Sequence, residues 1–158
     1  MQRKLAIFDF GETIMEDSKK DTTTQKGLSK LFPNNEFPLE LKEIKKLQGK
    51  YNFWIAMAAA INEKDVTKDE IIEAILSGKT LIKGMDTVLR TLAIDHDIII
   101  ISGSHTGKIK AFLTKYDLLD CIQEIFGRPS IITDNGKLLF SPIPEQWGGP
   151  CKTTGKHE

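Results

Sequence analysis

Two short runs of residues are apolar on every side, Leu5-Ala6-Ile7-Phe8 and Ile98-Ile99-Ile100-Ile101. Without a polar face, such a run has the pattern of a buried strand in a parallel sheet. Each run breaks at once into polar and small residues: Asp9-Phe10-Gly11-Glu12-Thr13 after the first, Ser102-Gly103-Ser104 after the second. Ile122 to Phe126 predicts a third strand. Ile131-Ile132-Thr133, Asp134-Asn135-Gly136 and Lys137 to Phe140 predict a hairpin with an Asn-Gly turn. Between the first two strands the apolar period becomes helical. Residues 16 to 35 are polar, with a turn at Pro33-Asn34-Asn35. Pro38 opens a helix over 39–48. Phe53, Trp54, Met57, Ala58 and Ile61 follow at helical spacing, and Asn62 to Asp65 ends them. Thr67-Lys68-Asp69-Glu70 is a capping box before Ile71, Ile72, Ile75 and Leu76. Residues 22 to 78 therefore predict several short helices with no strand between them. Gly84 precedes a further helix carrying Met85, Val88, Leu89 and Leu92. Another carries Ile109, Phe112 and Leu113, with Leu118 and Leu119 near its end. From Pro142 onward the chain reads as irregular.

Strands alternating with helices predict an α/β fold, a parallel sheet with right-handed crossovers. Ligands of such sheets bind beyond the carboxyl ends of the strands, where Asp9 and Ser102 both fall. Charge adds an exclusion. Lys plus Arg number 22 and Asp plus Glu number 22, so no general field attracts nucleic acid or an anionic membrane. The two cysteines, Cys121 and Cys151, have no metal-ligand spacing and read as free thiols of a cytoplasmic protein. The opening Met1-Gln2-Arg3-Lys4 is followed by an apolar stretch that Asp9 interrupts, too short for a signal segment or a membrane span.

A carboxylate at the end of a buried strand can attack a phosphoryl group and become an aspartyl-phosphate. That reaction needs donors for the phosphoryl oxygens and a cation against their charge. The Ser102 hydroxyl suits the donor role, and the Gly103 and Ser104 amides at a helix start can add to it. Alone, Asp9 ends a strand and Ser102 caps a helix; at matching strand ends they favour a phosphoryl site. Gly103-Ser104-His105-Thr106-Gly107-Lys108 has one residue too few for a nucleotide P-loop and lacks its final Ser or Thr, so it reads as an anion-binding turn only.

These stretches resemble the haloacid dehalogenase (HAD) superfamily of phosphatases. Ile7-Phe8-Asp9-Phe10-Gly11-Glu12-Thr13-Ile14 is similar to the first HAD signature, Asp-x-Asp-x-Thr after hydrophobics, and Ile98 to Ser102 to the second. Within the superfamily the likeness is nearest to the phosphoethanolamine/phosphocholine and pyridoxal-phosphate phosphatases. Their first motif is close to Phe-Asp-Phe-Asp-x-Thr-Ile-Ile-Asp and their second to Ile-Ser-Asp-Ser-Asn. The Asn135-Gly136 hairpin and Pro150-Cys151-Lys152 extend the likeness. It implies a HAD-like Rossmannoid parallel sheet, truncated, with a helical cap inserted after the first strand and a β-hairpin. Residues 1–15 and 81–158 would form the core and residues 16–80 the cap. It implies Asp9 as nucleophile, Thr13 as the motif threonine, and magnesium held by Asp9 and the Gly11 backbone carbonyl. Ser102, Gly103, Ser104 and, more weakly, Lys152 would bind phosphate.

The departures carry as much information. The general acid and base of the first motif is an aspartate, and Gly11 stands there. Losing such a group costs about 10²–10⁴ in rate. Glu12 is adjacent, but neighbouring side chains of an extended segment point apart. In the second motif Gly103 replaces an aspartate and His105 an asparagine. The family's later Gly-Asp-Gly-x-x-Asp does not occur before Glu158. Lys152 and Lys156 are candidates for the family's phosphate-steadying lysine. Weak or absent magnesium binding is therefore expected. Three functional readings result: a pseudophosphatase binding a small phosphate ester or a protein partner; an active magnesium-dependent phosphomonoesterase on phosphoethanolamine, phosphocholine or pyridoxal phosphate; and a truncated product without independent function. Changes inside the motifs favour the first. Without the family's next strand, the first strand becomes a sheet edge, open to a homodimer or a protein partner.

Overall fold

The computed structural model describes residues 3–17, 23–47 and 49–140. Lys152, Lys156, Cys151 and the stretch from Pro142 lie outside the described residues. Two compact units divide the chain: the described residues of Met1–Thr22 and Gly78–Arg128 form one, and those of Thr23–Ser77 and Pro129–Glu158 the other.

The first unit is α/β. Strands β1 (Lys4–Phe8), β4 (His96–His105) and β5 (Glu124–Arg128) form a parallel sheet in the order β1-β4-β5. The short strands β2 (Met15–Asp17) and β3 (Lys79–Leu81) pair antiparallel as a ribbon. Helices α5 (Met85–Leu92) and α6 (Thr106–Lys115) supply the crossovers. Gly84 takes φ +84° at the N-cap of α5, a left-handed conformation that glycine adopts without steric cost. The core lies between α6 and one sheet face: Ile98, Ile100, Ile109, Phe112 and Leu113 are fully buried. Helix α6 ends earlier than its apolar pattern predicts. Asp117 turns left-handed, and Leu119–Cys121 forms a separate 3-10 turn.

The second unit is helical: α1 (Thr24–Ser29), α2 (Leu39–Leu47), α3 (Gly49–Asn62) and α4 (Lys68–Leu76). The capping box forms as predicted. The Thr67 hydroxyl accepts from the Glu70 amide at 3.2 Å, and the Glu70 carboxylate accepts from the Thr67 amide at 2.8 Å. Helices α1 and α4 touch at Gly27, where a β-carbon would stand 1.8 Å from the Ala74 carbonyl oxygen. Only glycine permits that approach. Phe32, Phe37, Phe53 and Trp54 stack edge-on through the interior, with centroids 5.4–6.0 Å apart.

The hairpin of β6 (Ser130–Ile132) and β7 (Leu138–Phe140) belongs to this helical unit, not to the α/β unit as the resemblance implies for 81–158. The reason is local chemistry. The Asn62 side chain bonds both polar backbone atoms of Leu138, at 2.8 and 2.9 Å, and the Trp54 ring packs on Phe140. The turn also differs from a two-residue Asn-Gly turn. Thr133 and Lys137 close it through the Thr133 amide to Lys137 carbonyl bond, and of Asn135 and Gly136 only Gly136 has positive φ, 72°. That is a three-residue loop with a left-handed glycine.

Candidate functional site

Strand β1 ends at Phe8, and the chain turns sharply after Asp9. Phe10 and Ile14 are fully buried and anchor the turn. The Ile14 and Met15 amides both donate to the Phe10 carbonyl at 3.0 Å, and the Glu12 amide donates to the Met15 carbonyl at 2.7 Å. Asp9 remains exposed above this anchor. Its Oδ1 accepts the Phe10 amide at 2.6 Å, which fixes one carboxylate oxygen. Thr13 sits half-buried within the same turn.

Gly11 is bridged to Met15. A β-carbon there would meet no atom within 4 Å, and its φ is outside the left-handed region. The backbone does not demand glycine, and a side chain at this position would meet no steric obstacle at its β-carbon. Glu12 does take a left-handed φ of 57°.

Parallel pairing of Phe8 with Ile100 brings the end of β1 beside the end of the Ile-rich run. Asp9 lies one residue beyond that pair and Ser102 two. Strand β4 continues to His105, with a register irregularity between Ile101 and His105. The Ser102 hydroxyl accepts from the Ser104 amide at 3.2 Å. Gly103 is exposed and Ser104 half-buried. His105 is the N-cap residue of α6 without a side-chain capping bond. Gly127 packs so closely that a β-carbon would be 2.6 Å from the Ser104 carbonyl. This contact holds the end of β4 against β5.

The structure also brings cations to this end of the sheet that sequence reasoning did not select. Arg128, at the end of β5, pairs in register with His105. Burial first, then the charges of Arg128 and Lys108, push the His105 imidazole down to about 3. The Lys108 ammonium lies 5.9 Å from the Phe10 ring centroid. Burial, reinforced by Lys79 and partly offset by Asp17, pushes it down to about 8. Lys79, its side chain 1% exposed, forms an ion pair with Asp17 across the β2–β3 ribbon. In sequence, Lys108 belonged only to the imperfect P-loop, and Lys79 gave no signal.

Lys108 yields a pH prediction. Below about pH 8 both folded and unfolded chains carry its charge, so the burial cost is fully present. Between 8 and 10.5 the unfolded chain keeps a proton that the folded chain has released, so stability rises with pH. Lys108→Met is expected to abolish that rise and to stabilise the protein at neutral pH by on the order of 2 kcal/mol. Denaturant titrations of both proteins across this range check it.

Magnesium takes about six oxygen ligands in octahedral array. Asp9 and the Gly11 carbonyl offer two protein oxygens. Among the described residues no three His, Cys, Asp or Glu side chains gather where they could hold a metal ion. No described helix is long and apolar enough to cross a membrane.

Comparison with known proteins places these features in a family. The chain is 27% identical over 148 residues to a thiamine phosphate phosphatase-like protein of Arabidopsis thaliana, covering 90% of this chain and 55% of that protein. It is 28% identical over 141 residues to the bovine (Bos taurus) pyridoxal phosphate phosphatase PHOSPHO2, covering 85% of this chain and 54% of that protein. The chain thus spans about half the length of the curated relatives it matches. Among solved structures, a HAD-family hydrolase of Salmonella enterica serovar Typhi superposes with a TM-score of 0.51 at 15% identity, covering 86% of this chain and 44% of that one. That likeness establishes the HAD fold. The model of the family described as "Putative Phosphatase" matches residues 4–156, and the chain belongs to that family.

Proposed function

We propose that this protein is a pseudophosphatase that binds small phosphate esters and is blocked at proton transfer. The observation that carries this reading is Gly11, a position with room for a side chain and no backbone need for glycine. In the reaction the motif implies, an Asp9 oxygen attacks phosphorus and the P–O bond to the leaving alcohol breaks. The departing alkoxide needs a proton, and the water that later attacks the aspartyl-phosphate must lose one. Glycine can do neither. The binding half of the reaction is kept. The Ser102 hydroxyl and the Gly103 amide would donate to phosphoryl oxygens, in a neighbourhood that also holds the cations Lys108 and Arg128.

The relatives' names, for pyridoxal phosphate and thiamine phosphate, support phosphorylated small molecules as the ligand class. They also favour a second reading, an active phosphomonoesterase. Calorimetric titration with pyridoxal phosphate, phosphoethanolamine and orthophosphate tests the binding claim. At least one ester is expected to bind, and Ser102→Ala is expected to weaken it about tenfold, the worth of a hydrogen bond to a charged group. No binding of any ester, or equal binding by Ser102→Ala, removes the proposed site.

A further inference from the structure

Helix α6 begins at Thr106, directly after β4 ends at His105. Its first turn, which carries Lys108, therefore lies at the carboxyl edge of the sheet. Residues four apart on a helix share a face, so Lys108 stands one turn nearer that edge than Phe112. Phe112 meets the Phe10 ring edge-to-face at 5.3 Å, and the Lys108 ammonium lies 5.9 Å from the centroid of the same ring. Phe10 also donates its amide to the Asp9 carboxylate. Lys108 thus approaches the nucleophile turn from the helix side, while Ser102 and Gly103 approach from the end of the Ile-rich run.

The charges around Lys108 do not balance. The residue is half-buried, and the charged groups that act on it are Lys79 and Asp17 of the β2–β3 ribbon. Asp17 already forms the ion pair with Lys79, so two ammonium groups share one carboxylate. His105, on the preceding turn, is kept neutral by burial and brings no negative charge. Among the described residues the Lys108 ammonium makes no hydrogen bond or ion pair; its close contact is the Phe10 ring. A cation–π contact at this separation returns much less than taking an ammonium out of water costs. A charge so placed works against the fold, and such groups gather where a ligand or a reaction uses them.

We propose that Lys108 is the counter-charge for the bound phosphoryl group, donating to one of its oxygens from α6 while Ser102 and Gly103 donate from the strand end. The proposal rests on the phosphate-binding reading above and adds to it the residue that answers the ligand's charge. A phosphate dianion completes the pairing that Asp17 leaves half-made. It also ties binding to a proton. Free of ligand, Lys108 gives up its proton above about pH 8. A bound anion beside it favours the charged form, so binding takes up a proton there and weakens as pH rises.

Calorimetric titration of the whole protein with orthophosphate tests the proposal. Lys108→Met is expected to bind about tenfold more weakly at about pH 7.5, the worth of one hydrogen bond between charged groups. Unfolding cannot mimic that loss, because Lys108→Met is expected to be the more stable protein. Lys110→Met, at an exposed position of the same helix, is expected to bind as the wild type does. The pH profile separates a contact with the anion from mere support of the site. Wild-type affinity is expected to fall about tenfold between about pH 7.5 and about pH 10 and to converge on that of Lys108→Met, whose own profile stays flat. Lys108→Arg, which keeps its charge throughout, is expected to bind well and to lose the pH dependence. Orthophosphate binding that Ser102→Ala weakens and Lys108→Met leaves unchanged overturns this proposal alone. An equal loss in Lys110→Met, or a wild-type profile as flat as that of Lys108→Met, does the same. Absence of orthophosphate binding by the wild type overturns the phosphate site and this proposal together.

Discussion

Gly11→Asp is expected to raise hydrolysis of alkyl phosphate esters by about 10²–10⁴, the usual worth of a positioned general acid and base. Steric freedom makes the substitution informative. No atom lies within 4 Å of the added β-carbon, and the local φ is one that any residue adopts. The surrounding turn is held by Phe10 and Ile14, which the new side chain does not displace. The gain should depend on the leaving group. Phosphoethanolamine releases an alkoxide that needs a proton, whereas p-nitrophenyl phosphate releases a phenolate that leaves without one. The increase is therefore expected to be larger for phosphoethanolamine. Gly11→Asn, similar in size but unable to transfer a proton, should give no increase, and adding Asp9→Asn to Gly11→Asp should remove it. Steady-state rates on the two esters check all three. Equal gains on both esters would place the proton transfer at the water that attacks the aspartyl-phosphate, a step common to both, and a gain from Gly11→Asn would show that position 11 acts by something other than proton transfer.

The second large effect concerns the support beneath the site. Phe112→Ala is expected to cost about 3–5 kcal/mol, the usual range for removing a buried aromatic. Phe112 is fully buried and meets Phe10 edge-to-face, with centroids 5.3 Å apart, and Tyr116 at 4.9 Å. A domain's whole stability is about 5–15 kcal/mol, so this loss approaches global unfolding. A local consequence accompanies it. Phe10 supplies the amide bonded to Asp9 and the carbonyl that closes the turn. Loosening its ring should blur the carboxylate's position before the unit melts. Urea denaturation measures the first effect, and ligand titration at low temperature the second. A loss below about 1 kcal/mol would mean that the cavity collapses and α6 re-packs onto the sheet.

The two apolar runs made the first and second sheet strands legible, because their hydrophobicity is continuous and stops abruptly. The same abruptness hid part of β4, whose last residues, Ser102 to His105, are polar and irregular in register. Thr67 and Glu70 announced α4, since a capping box is complete within four residues. The β2–β3 ribbon was not legible. Met15–Asp17 and Lys79–Leu81 are three residues each, too short to show alternation, and their partners are remote in sequence. Helix α1 was missed because Thr24–Ser29 buries only Gly27 and Leu28 and has no apolar stripe. The hairpin was legible but its allegiance was not. That depends on Asn62, which no local pattern connects to Leu138. At the site, Asp9 and Ser102 were visible because strand ends are visible. Lys79, Lys108 and Arg128 were not, because their meaning comes from burial and from each other's charge.

The central claim is that the nucleophile is retained while turnover is lost. Its most direct test is hydrolysis of p-nitrophenyl phosphate, phosphoethanolamine and pyridoxal phosphate, with magnesium present, by the wild type beside Asp9→Asn. The account predicts that the two proteins are indistinguishable on the alkyl esters. Clear wild-type turnover that Asp9→Asn abolishes would contradict it and establish an active phosphatase in which Gly11 is no impediment.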